Sequence, residues 1–455
     1  MAIEVKKSIF EFLHFDRPTK DQKKVLQAME NFAEDQNLHD FLILCGAAGT
    51  GKTSITAALI GYLNNQKKRY RIAAPTGRAA RIIGRKANTT TSTIHSLIYT
   101  PDSNTETGVV SFKLKQRKDP DPLIYIIDEA SMISKNPGTG DTLFETERGV
   151  LFDLIRYIKS ANSQNKIVFL GDRYQLPPVG EEQSYALNKS FLETTFNMKG
   201  YEFLLTEVKR QEDGSYILTN ATEIRKAIEN NELTHSIDGK KSGNIFNATR
   251  NYTQEYLKNG PENAVAIGVS HKANKYFNDL VRTQIFGNAK KTLESGDLLM
   301  VQKNWNRNEC VLYNGDHVQL ISVDWSLQEQ VAGLHFVAVK VKLLFAETET
   351  IIEDYLVLES VLNLGGKIDP KLEIGLRKER YIKNKVYGTS KDPADDRYVG
   401  ALHLAYGHAI TCNKAQGGEW KKVFINTLGI PSLKWQYTAV TRAINEIETF
   451  GNQYR

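Results

Sequence analysis

Gly46-Ala47-Ala48-Gly49-Thr50-Gly51-Lys52-Thr53 decides the fold of this chain, because it matches the phosphate-binding pattern G-x-x-x-x-G-K-[ST] at every fixed position. The apolar run Phe41–Cys45 precedes it and predicts a buried strand, and Ser54–Leu63 predicts a helix after it. Between a strand and a helix, the glycines let backbone N–H groups face phosphates, and the helix N-terminus adds partial positive charge. The stretch therefore predicts a nucleotide site in which Lys52 reaches the β- and γ-phosphates and Thr53 ligates Mg²⁺.

Three more apolar runs predict strands: Tyr70–Ala74, Leu123–Ile127 and Lys166–Leu170. Polar residues follow each run, and ligands of open parallel α/β sheets sit at the carboxyl ends of the strands. Asp128 is expected to hold the Mg²⁺ shell, and Glu129 to orient and deprotonate the attacking water. Gln175 is placed to contact the γ-phosphate. These runs predict an α/β fold with an open parallel sheet around the phosphate loop.

The composition of the whole chain is that of an ordinary soluble globular protein. Its 455 residues allow two to four domains, with 41% hydrophobic and 25% charged residues. No apolar run approaches the length of a membrane span, and the N-terminus lacks the apolar core of a signal peptide. The three cysteines are far apart without metal-ligand spacing, so we expect a cytoplasmic protein without a membrane partner. The net charge of +6 permits nucleic acid as a partner and equally fits a solvated basic surface.

Two polar residues near the loop each admit two interpretations. Gln22 stands three residues after Thr19, which is the spacing of a helix capping box. In the alternative interpretation, its amide binds the edge of an adenine base. His95, in the segment Thr93–Leu97, suits contact with a nucleic-acid backbone. A single histidine is nevertheless more often a satisfied structural residue.

The segment 99–122 interrupts the strand and helix pattern. It is polar and charged, with one alternating patch at Val109–Leu114, and it predicts either an inserted β-hairpin or a plain surface loop. Phe112 lies in the patch. It serves either as a wedge that stacks on an opened base pair or as the residue that packs the hairpin onto its own domain.

The second half of the chain repeats the alternation of strands and helices without a phosphate loop. Strands are predicted at Ala264–Ser270, Asp297–Gln302, Ala409–Cys412 and Val423–Thr427, with helices at His271–Phe286 and Trp435–Ala443. Between them, residues 314–398 alternate in the manner of a small β-barrel and then become dense in Lys, Arg and Asp. We expect a first domain at 1–98 and 123–203, the hairpin at 99–122, a second domain at 204–313 and 399–455, and the barrel insertion at 314–398.

The ordered motifs of this chain resemble those of superfamily 1 helicases of the RecD/Dda-like branch. The motifs are Gln22, the phosphate loop, Ala74–Ala80, Thr93–Ser96, Asp128–Met132, Gly171–Pro177, Thr206–Gln211, Thr411–Gly417 and Tyr437–Arg442. The resemblance implies two RecA-like domains with ATP between them, single-stranded DNA across both, and 5′→3′ translocation. It further implies that the hairpin is a strand-separating pin and that an SH3-like barrel supports DNA and pin.

The resemblance also implies roles for individual residues. Arg210 and Arg442 would reach the γ-phosphate from the second domain, where salt bridges are the alternative role. Gly417 and Glu419 would contribute to ATP binding. The DNA-binding candidates are Pro75, Thr76, Thr93 and His95 in the first domain, and His271, Lys272, Asn274, Thr411, Asn413 and Lys414 in the second. Asn413 stands where this branch often has His, which puts that contact in doubt.

We therefore expect an ATP-driven helicase that uses ATP and Mg²⁺ and acts on single-stranded and forked duplex DNA. It would work with replication or recombination proteins, in a nucleoid or as a phage protein in a host cytoplasm. An ATP-gated clamp or remodeller that grips a single strand without separating strands is the alternative. A third class, a P-loop enzyme acting on a small-molecule phosphate acceptor, predicts no stimulation of ATP hydrolysis by DNA.

Overall fold

The computed structural model of the chain describes residues 7–15, 17–35, 38–47, 49–103, 110–137, 144–145, 148–207, 216–288, 292–307, 310–346 and 348–451. Ala48 and Arg210 lie outside these ranges. Contacts between residues divide the chain into two compact units, and the main body of the second begins at Tyr216.

The first unit alternates strands and helices along most of its length. Its elements are α1 (Lys20–Glu34), β1 (Phe41–Gly46), α2 (Lys52–Asn65), β2 (Tyr70–Ala74), α3 (Gly77–Ala87), β3 (Thr91–Thr93), α4 (Ile94–Ile98), β4 (Tyr99–Ser103), β5 (Val110–Leu114), β6 (Ile124–Ile127), β7 (Phe144–Glu145), α5 (Val150–Ala161), β8 (Lys166–Gly171), α6 (Lys189–Phe196) and β9 (Gly200–Leu205). Short 3₁₀ helices span Ile9–Phe12, Ala130–Met132 and Tyr185–Leu187.

Six parallel strands form the main sheet of this unit in the order β3-β2-β6-β8-β1-β9. Alternate residues of β1 point to opposite faces, so Ile43 joins one hydrophobic cluster and Leu44 the other. Because helices cover both faces, the central strands are largely apolar, and every residue of β1 and β8 is buried. The four strands expected around the phosphate loop are thus present, and all four belong to this one sheet.

A small three-stranded sheet in the order β4-β5-β7 accompanies the main sheet. β4 and β5 are neighbours in it, and they fall inside the segment expected to form a hairpin. Residues 104–109, which connect them, lie outside the described residues. The Lys115 N–H donates to the Ile98 carbonyl at 2.8 Å, which fixes the end of β5 beside α4.

The second unit contains two five-stranded sheets, one two-stranded sheet and the remaining helices. Its elements are α7 (Tyr216–Glu229), β10 (Lys240–Gly243), α8 (Ile245–Asn259), β11 (Ala264–Gly268), α9 (His271–Phe286), β12 (Leu298–Val301), β13 (Trp305–Arg307), β14 (Cys310–Leu312), β15 (His317–Val331), β16 (Leu334–Leu343), β17 (Thr350–Val357), α10 (Leu358–Leu362), α11 (Pro370–Lys383), α12 (Lys385–Ser390), β18 (Leu404–Tyr406), β19 (Ala409–Thr411), α13 (Cys412–Ala415), β20 (Trp420–Asn426), α14 (Leu433–Val440) and β21 (Ala443–Phe450). Short 3₁₀ helices span Leu364–Gly366 and Pro393–Asp395.

One sheet of the second unit is parallel throughout, with the strand order β10-β21-β20-β11-β19. With the parallel sheet of the first unit, it gives the chain two α/β layers of the kind that RecA-like domains contain. The described residues include no helix that is both long and apolar enough to cross a membrane.

The other five-stranded sheet is antiparallel, with the strand order β17-β16-β15-β12-β18. It includes β12, which we expected in the second α/β layer and which the structure places beside β15 and β18. A bridge between Leu356 and Leu402 brings the two ends of the sheet together. A short apolar strand carries no information about its partner, because its side chains suit any half-buried sheet position.

A buried ion pair joins α9 to the start of β12. Arg282 Nε donates to Asp297 Oδ1 at 2.6 Å, and a second guanidinium nitrogen donates to Oδ2 at 2.9 Å. Their exposed fractions are 3% for Arg282 and zero for Asp297. The pair therefore connects the α/β part of this unit to its antiparallel sheet in an environment without water.

Asp297→Ala is predicted to destabilise the second unit by about 3–5 kcal/mol, because it leaves the buried Arg282 charge uncompensated. The exposed pair between Lys275 and Asp279 on α9 provides the control, and Lys275→Ala should change stability by less than about 1 kcal/mol. Urea unfolding of the three proteins measures both effects. Equal stability of Asp297→Ala and Lys275→Ala would show that the buried pair does not hold these elements together.

Candidate ATP and DNA sites

The carboxyl edge of the first sheet gathers the predicted catalytic residues. Cys45 of β1 pairs with Gly171 of β8, and Ile127 of β6 pairs with Phe169, so these three strands end at nearly the same level. The residues after them are the phosphate loop, Asp128-Glu129 and the turn that carries Gln175. The sheet therefore brings to one edge the groups that ATP hydrolysis requires.

Backbone geometry in the phosphate loop depends on two glycines. Gly49 and Gly51 have φ values of 81° and 89°, which residues with a side chain rarely adopt. α2 then begins at Lys52, whose Nζ donates to the carbonyl oxygens of Gly46 and, at 3.0 Å, of Ala47. The Lys52 ammonium is thus held at the loop, beside the N-terminus of α2. Its positive charge and the partial positive charge of the helix N-terminus both favour phosphate.

Gln22 connects α1 to the phosphate loop. Its Oε1 accepts from the Thr19 N–H at 2.9 Å and its own N–H donates to Thr19 Oγ1 at 3.2 Å, which is the capping box that the spacing predicted. Its Nε2 donates to the Thr50 carbonyl at 3.0 Å. A Cβ at Gly51 would stand 2.7 Å from Nε2, so the glycine is also needed to let Gln22 approach.

The acidic pair follows β6 in a constrained turn. The Asp128 N–H donates to the Ala73 carbonyl of β2 at 2.9 Å, which holds the turn at the sheet edge. Glu129 has a φ of 49°, a left-handed conformation that a residue with a side chain adopts at a cost of about 1–3 kcal/mol. Such strain is concentrated at functional sites, where the surrounding structure imposes it.

Gln175 is buried in the turn after β8, with 4% of its surface exposed. Its Oε1 has no hydrogen-bond partner within the described part of the chain. A buried acceptor of this kind is costly unless a donor reaches it, and a water of the hydrolysis site is such a donor. Thr53 is exposed at the start of α2, and together with Asp128 it provides the oxygen ligands that Mg²⁺ prefers. The residues present therefore fit ATP and Mg²⁺.

The DNA-binding candidates of the first unit lie after β2 and β3 at the same edge. Thr76 Oγ1 accepts from the Ala79 N–H and caps α3, and Thr93 Oγ1 accepts from the Ser96 N–H and caps α4. Pro75 precedes the first cap and is partly exposed. Both hydroxyls thus have structural partners, and Thr93 Oγ1 also donates its proton to Ser96 Oγ at 3.0 Å.

His95, Tyr99 and Phe112 form an aromatic cluster. The ring centroids of Tyr99 and Phe112 are 5.6 Å apart, and His95 lies 5.7 Å from Tyr99 and 6.3 Å from Phe112. Part of the His95 ring is exposed, yet burial by its surroundings lowers its pKa, which favours the neutral ring. Phe112 also packs against the hydrophobic core of the first unit. These contacts are those that the packing interpretation of Phe112 predicts.

In the second unit, the ATP-binding candidates lie at the amino edge of the parallel sheet. Gly417 and Glu419 precede β20, Arg442 precedes β21, and the Trp420 N–H donates to the Arg442 carbonyl at 2.9 Å. The Arg442 side chain is buried and donates to the carbonyl oxygens of Thr438 and Gly418 and to the hydroxyl of Thr441. All three acceptors are neutral. The hydrogen bonds therefore hold the guanidinium in place, and these three partners do not neutralise its positive charge.

The DNA-binding candidates of this unit lie at the opposite, carboxyl edge. His271, Lys272 and Asn274 begin α9 after β11, and Thr411, Asn413 and Lys414 follow the neighbouring strand β19. Burial lowers the pKa of Lys414 to about 8, so its charged form still dominates at pH 7. Burial, followed by the nearby charges of Lys367 and Lys414, lowers the pKa of His271. The Asn274 Nδ2 is buried and has no acceptor in the described chain.

Two contacts that support the ATP site were not predicted from the sequence. Thr206, at the end of β9, donates its hydroxyl and its N–H to Asp21 of α1, at 2.6 and 3.2 Å. The hydroxyl bond is the main reason why the pKa of Asp21 is lowered. Residues 185 positions apart in sequence give no local signal of such a contact, although both lie beside motifs that the sequence did reveal.

Comparison with known proteins agrees with this geometry. A family described as an AAA domain matches residues 19–240, and one described as a UvrD-like helicase C-terminal domain matches residues 406–446. The chain is 25% identical over 333 residues to the ATP-dependent DNA helicase dda of Enterobacteria phage T4, covering 69% of each chain. It is 27% identical over 164 residues to the ATP-dependent RecD2 DNA helicase of Deinococcus radiodurans, covering 36% of this chain and 19% of that protein.

Solved structures show a similar fold at low sequence identity. A structure of Pif1 helicase from a study of unwinding at forked DNA gives a TM-score of 0.52 at 16% identity, covering 97% of this chain and 93% of that one. A Bacteroides Pif1 bound to single-stranded DNA gives 0.51 at 15% identity, with the same coverage. These likenesses concern the fold alone.

The two parallel α/β layers, the first with a phosphate loop and the acidic pair at its edge, define an ATPase with RecA-like units. The family models and the curated relatives support a superfamily 1 helicase of the Pif1, RecD and Dda-like group, and they support an enzyme of the ATPase and helicase class.

Gln22→Ala is predicted to weaken ATP and GTP binding several-fold and to the same extent, because it removes the bond to the Thr50 carbonyl that supports the phosphate loop. Thr19→Ala is the control, since it removes the cap hydroxyl and about 1 kcal/mol of stability but leaves the bond to Thr50. Titration with fluorescent nucleotides and thermal unfolding measure the two effects. A loss confined to ATP would instead assign Gln22 to adenine recognition.

Proposed function

We propose that this protein is an ATP-driven DNA helicase that translocates 5′→3′ on single-stranded DNA and separates duplex strands. The observation that carries the proposal is the carboxyl edge of the first sheet, which combines the phosphate loop, Asp128-Glu129 and Gln175 with the DNA-binding candidates after β2 and β3. Because the nucleotide site and the strand-binding surface share one sheet edge, ATP binding and hydrolysis can change the affinity of that surface for DNA. The phage relative is named as a helicase acting on DNA, and this supports the choice of substrate.

In the proposed reaction, the first unit binds ATP and hydrolyses it. The Lys52 ammonium binds the β- and γ-phosphates, and the loop N–H groups bind the remaining phosphate oxygens. Thr53 and Asp128 hold Mg²⁺, which neutralises charge on the phosphates. Glu129 accepts a proton from the attacking water, and Gln175 orients that water through its buried amide.

Two arginines are proposed to complete the ATP site, and of these Arg442 belongs to the second unit. Arg442 reaches the γ-phosphate, and so does Arg210, which lies outside the described residues. Gly417 and Glu419 lie beside the nucleotide. Arginines of this kind stabilise charge in the transition state and make hydrolysis depend on the closing of a cleft. The neutral partners of Arg442 support this role, because an arginine already neutralised by a carboxylate would bind phosphate less strongly.

DNA binding is proposed to involve backbone contacts that do not read sequence. The candidates on the first unit are a proline, two hydroxyls and an imidazole, and those on the second are an imidazole, two amides, a hydroxyl and two lysines. Lys414 is partly buried, so its attraction to a phosphate would be screened less by salt than that of an exposed lysine. The hairpin would act as a pin, and the antiparallel sheet as an SH3-like barrel that supports it. Replication or recombination proteins of the cytoplasm are the proposed partners.

An ATP-gated clamp that holds a single strand without unwinding is the second candidate. One observation favours it: Phe112 packs against Tyr99 and His95, so its ring has a structural role whether or not it meets a base pair. The two candidates share the ATP site and differ only in strand separation.

The wild-type protein is expected to hydrolyse ATP faster with single-stranded DNA and to unwind a fork with a 5′ tail but not one with a 3′ tail. Lys52→Ala should lose ATP turnover because the phosphates lose their cation. Glu129→Gln should bind ATP normally yet lose hydrolysis by at least about a hundredfold, because an amide cannot take the proton. ATPase assays, nucleotide binding and gel-based unwinding measure these effects.

Each outcome of this experiment separates the candidates. DNA-stimulated ATPase without unwinding of either fork would establish the clamp. ATPase that DNA does not stimulate would exclude both nucleic-acid functions. Near-normal turnover by Glu129→Gln would show that another residue is the base.

Phe112→Ala is expected to lower unwinding while DNA-stimulated ATPase persists, if the ring is the wedge. Tyr99→Phe is a suitable control, because it keeps the neighbouring ring and removes only the hydroxyl that donates to Asp153 at 2.6 Å. The unwinding rate, the ATPase rate and the melting temperature are measured for the wild-type protein and for both variants. If Phe112→Ala lowers stability and all activities together, the residue only packs the hairpin. Unwinding that survives deletion of 102–118 would exclude the pin itself.

A further inference from the structure

The helix α11 has a basic outer face that the proposed site does not use. Lys371, Gly375, Lys378 and Ile382 recur at intervals of four, three and four residues, which places them on one side of the helix. Both lysines are exposed, and Ile382 is 79% exposed. Among the described residues, neither lysine has an ion-pair partner. We call these four residues the α11 outer face.

The opposite side of α11 is firmly anchored. Leu376 is buried in a cluster with Leu334 and Phe336 of the antiparallel sheet. Arg380 Nε donates to the buried Asp396 carboxylate at 2.9 Å, and Asn384 Nδ2 donates to the same oxygen at 2.9 Å. The outer face is therefore presented on a rigid support, which lowers the entropy lost when a partner binds.

Gly375 has no explanation within the unit itself. Glycine destabilises the interior of a helix relative to alanine, and it is used where another backbone must approach closely. Apart from its two chain neighbours and the backbone of its own helix, no atom of the described chain lies within 4 Å of the position that a Cβ would take at Gly375. The glycine thus leaves a shallow gap between two exposed lysines, open to a molecule that is not part of this unit.

The N-terminal end of α11 lies near the DNA-binding candidates of the same unit. A Cβ at Gly365 would stand 2.8 Å from His271 Nδ1, and one at Gly366 would stand 2.6 Å from Gln302. Lys303 donates to Glu373, on the inner side of α11, at 3.3 Å. The helix extends about 21 Å from this junction, at 1.5 Å per residue. The outer face therefore begins near the proposed strand path, on the side of the helix away from the contact with Lys303.

We propose that the α11 outer face binds the phosphate backbone of duplex DNA adjoining the single-stranded path. This inference rests on the proposed DNA-helicase function. Lys371 and Lys378 each contact a phosphate, and Gly375 lets the sugar-phosphate backbone lie against the helix between them. The two lysines are about 10 Å apart along the helix, so they reach separate phosphates.

The composition of the face favours duplex over single-stranded DNA. Surfaces that bind single strands use aromatic side chains on which bases stack, and the four residues of this face include none. Lysines bind phosphates without reading bases, which suits a duplex whose bases are paired. Ile382 supplies apolar contact for sugars at the end of the stripe.

The test compares a fork that has a duplex arm with the same single-stranded tail alone, by fluorescence anisotropy without ATP at several salt concentrations. Lys371→Glu/Lys378→Glu should weaken fork binding about tenfold, leave tail binding unchanged and reduce the salt slope for the fork by about 2. Gly375→Gln should also weaken fork binding, with an unchanged or higher melting temperature, because glutamine favours helix more than glycine does.

The matched control is Lys226→Glu/Lys258→Glu, which makes the same charge change at exposed lysines of α7 and α8. Fork binding by the Lys371→Glu/Lys378→Glu variant equal to that of the control overturns the inference. Equal loss of tail and fork binding also overturns it, because the face would then bind the single strand. The proposed function is judged separately, since its failure would appear as absent tail binding by the wild-type protein.

Discussion

The parallel pairing of β-strands is the constraint on which the rest of this structure depends. Strands covered by helices on both faces have no position for a polar side chain except at their ends, as the wholly buried β1 and β8 show. Parallel strands all end at the same edge, so the polar turns after them meet there. Lys52, Asp128 and Gln175 are distant in sequence, and this geometry alone places them at one edge.

A second constraint is the backbone of the phosphate loop. Its N–H groups face a ligand only if Gly49 and Gly51 adopt left-handed conformations, and ordering two glycines costs backbone entropy. Gln22 compensates for that cost by bonding to the Thr50 carbonyl while it caps α1. One residue thus couples the stability of a helix to the geometry of the nucleotide site.

The second unit uses the two edges of its parallel sheet differently. Arg442 lies at the amino edge and the cluster around His271 and Lys414 at the carboxyl edge, so the strands between them connect the proposed phosphate-sensing group to the proposed DNA-binding groups. The ion pair of Arg282 and Asp297 fixes the antiparallel sheet to this layer, because a buried guanidinium needs its carboxylate. A rigid connection of this kind allows a displacement at one edge to reach the other.

The sequence by itself determined the phosphate loop, the strands around it and the acidic pair, because each is a local pattern with a local physical cause. An apolar run of five residues is enough to specify a strand buried on both faces, and β2 spans the five residues expected, Tyr70–Ala74. Only the tertiary structure decided the order β3-β2-β6-β8-β1-β9, the placement of β12 in the antiparallel sheet, the bond between Thr206 and Asp21 and the packing of Phe112 on Tyr99. Each of these depends on residues far apart in sequence, and their free energy comes from burial and hydrogen bonds that form only when the chain has folded.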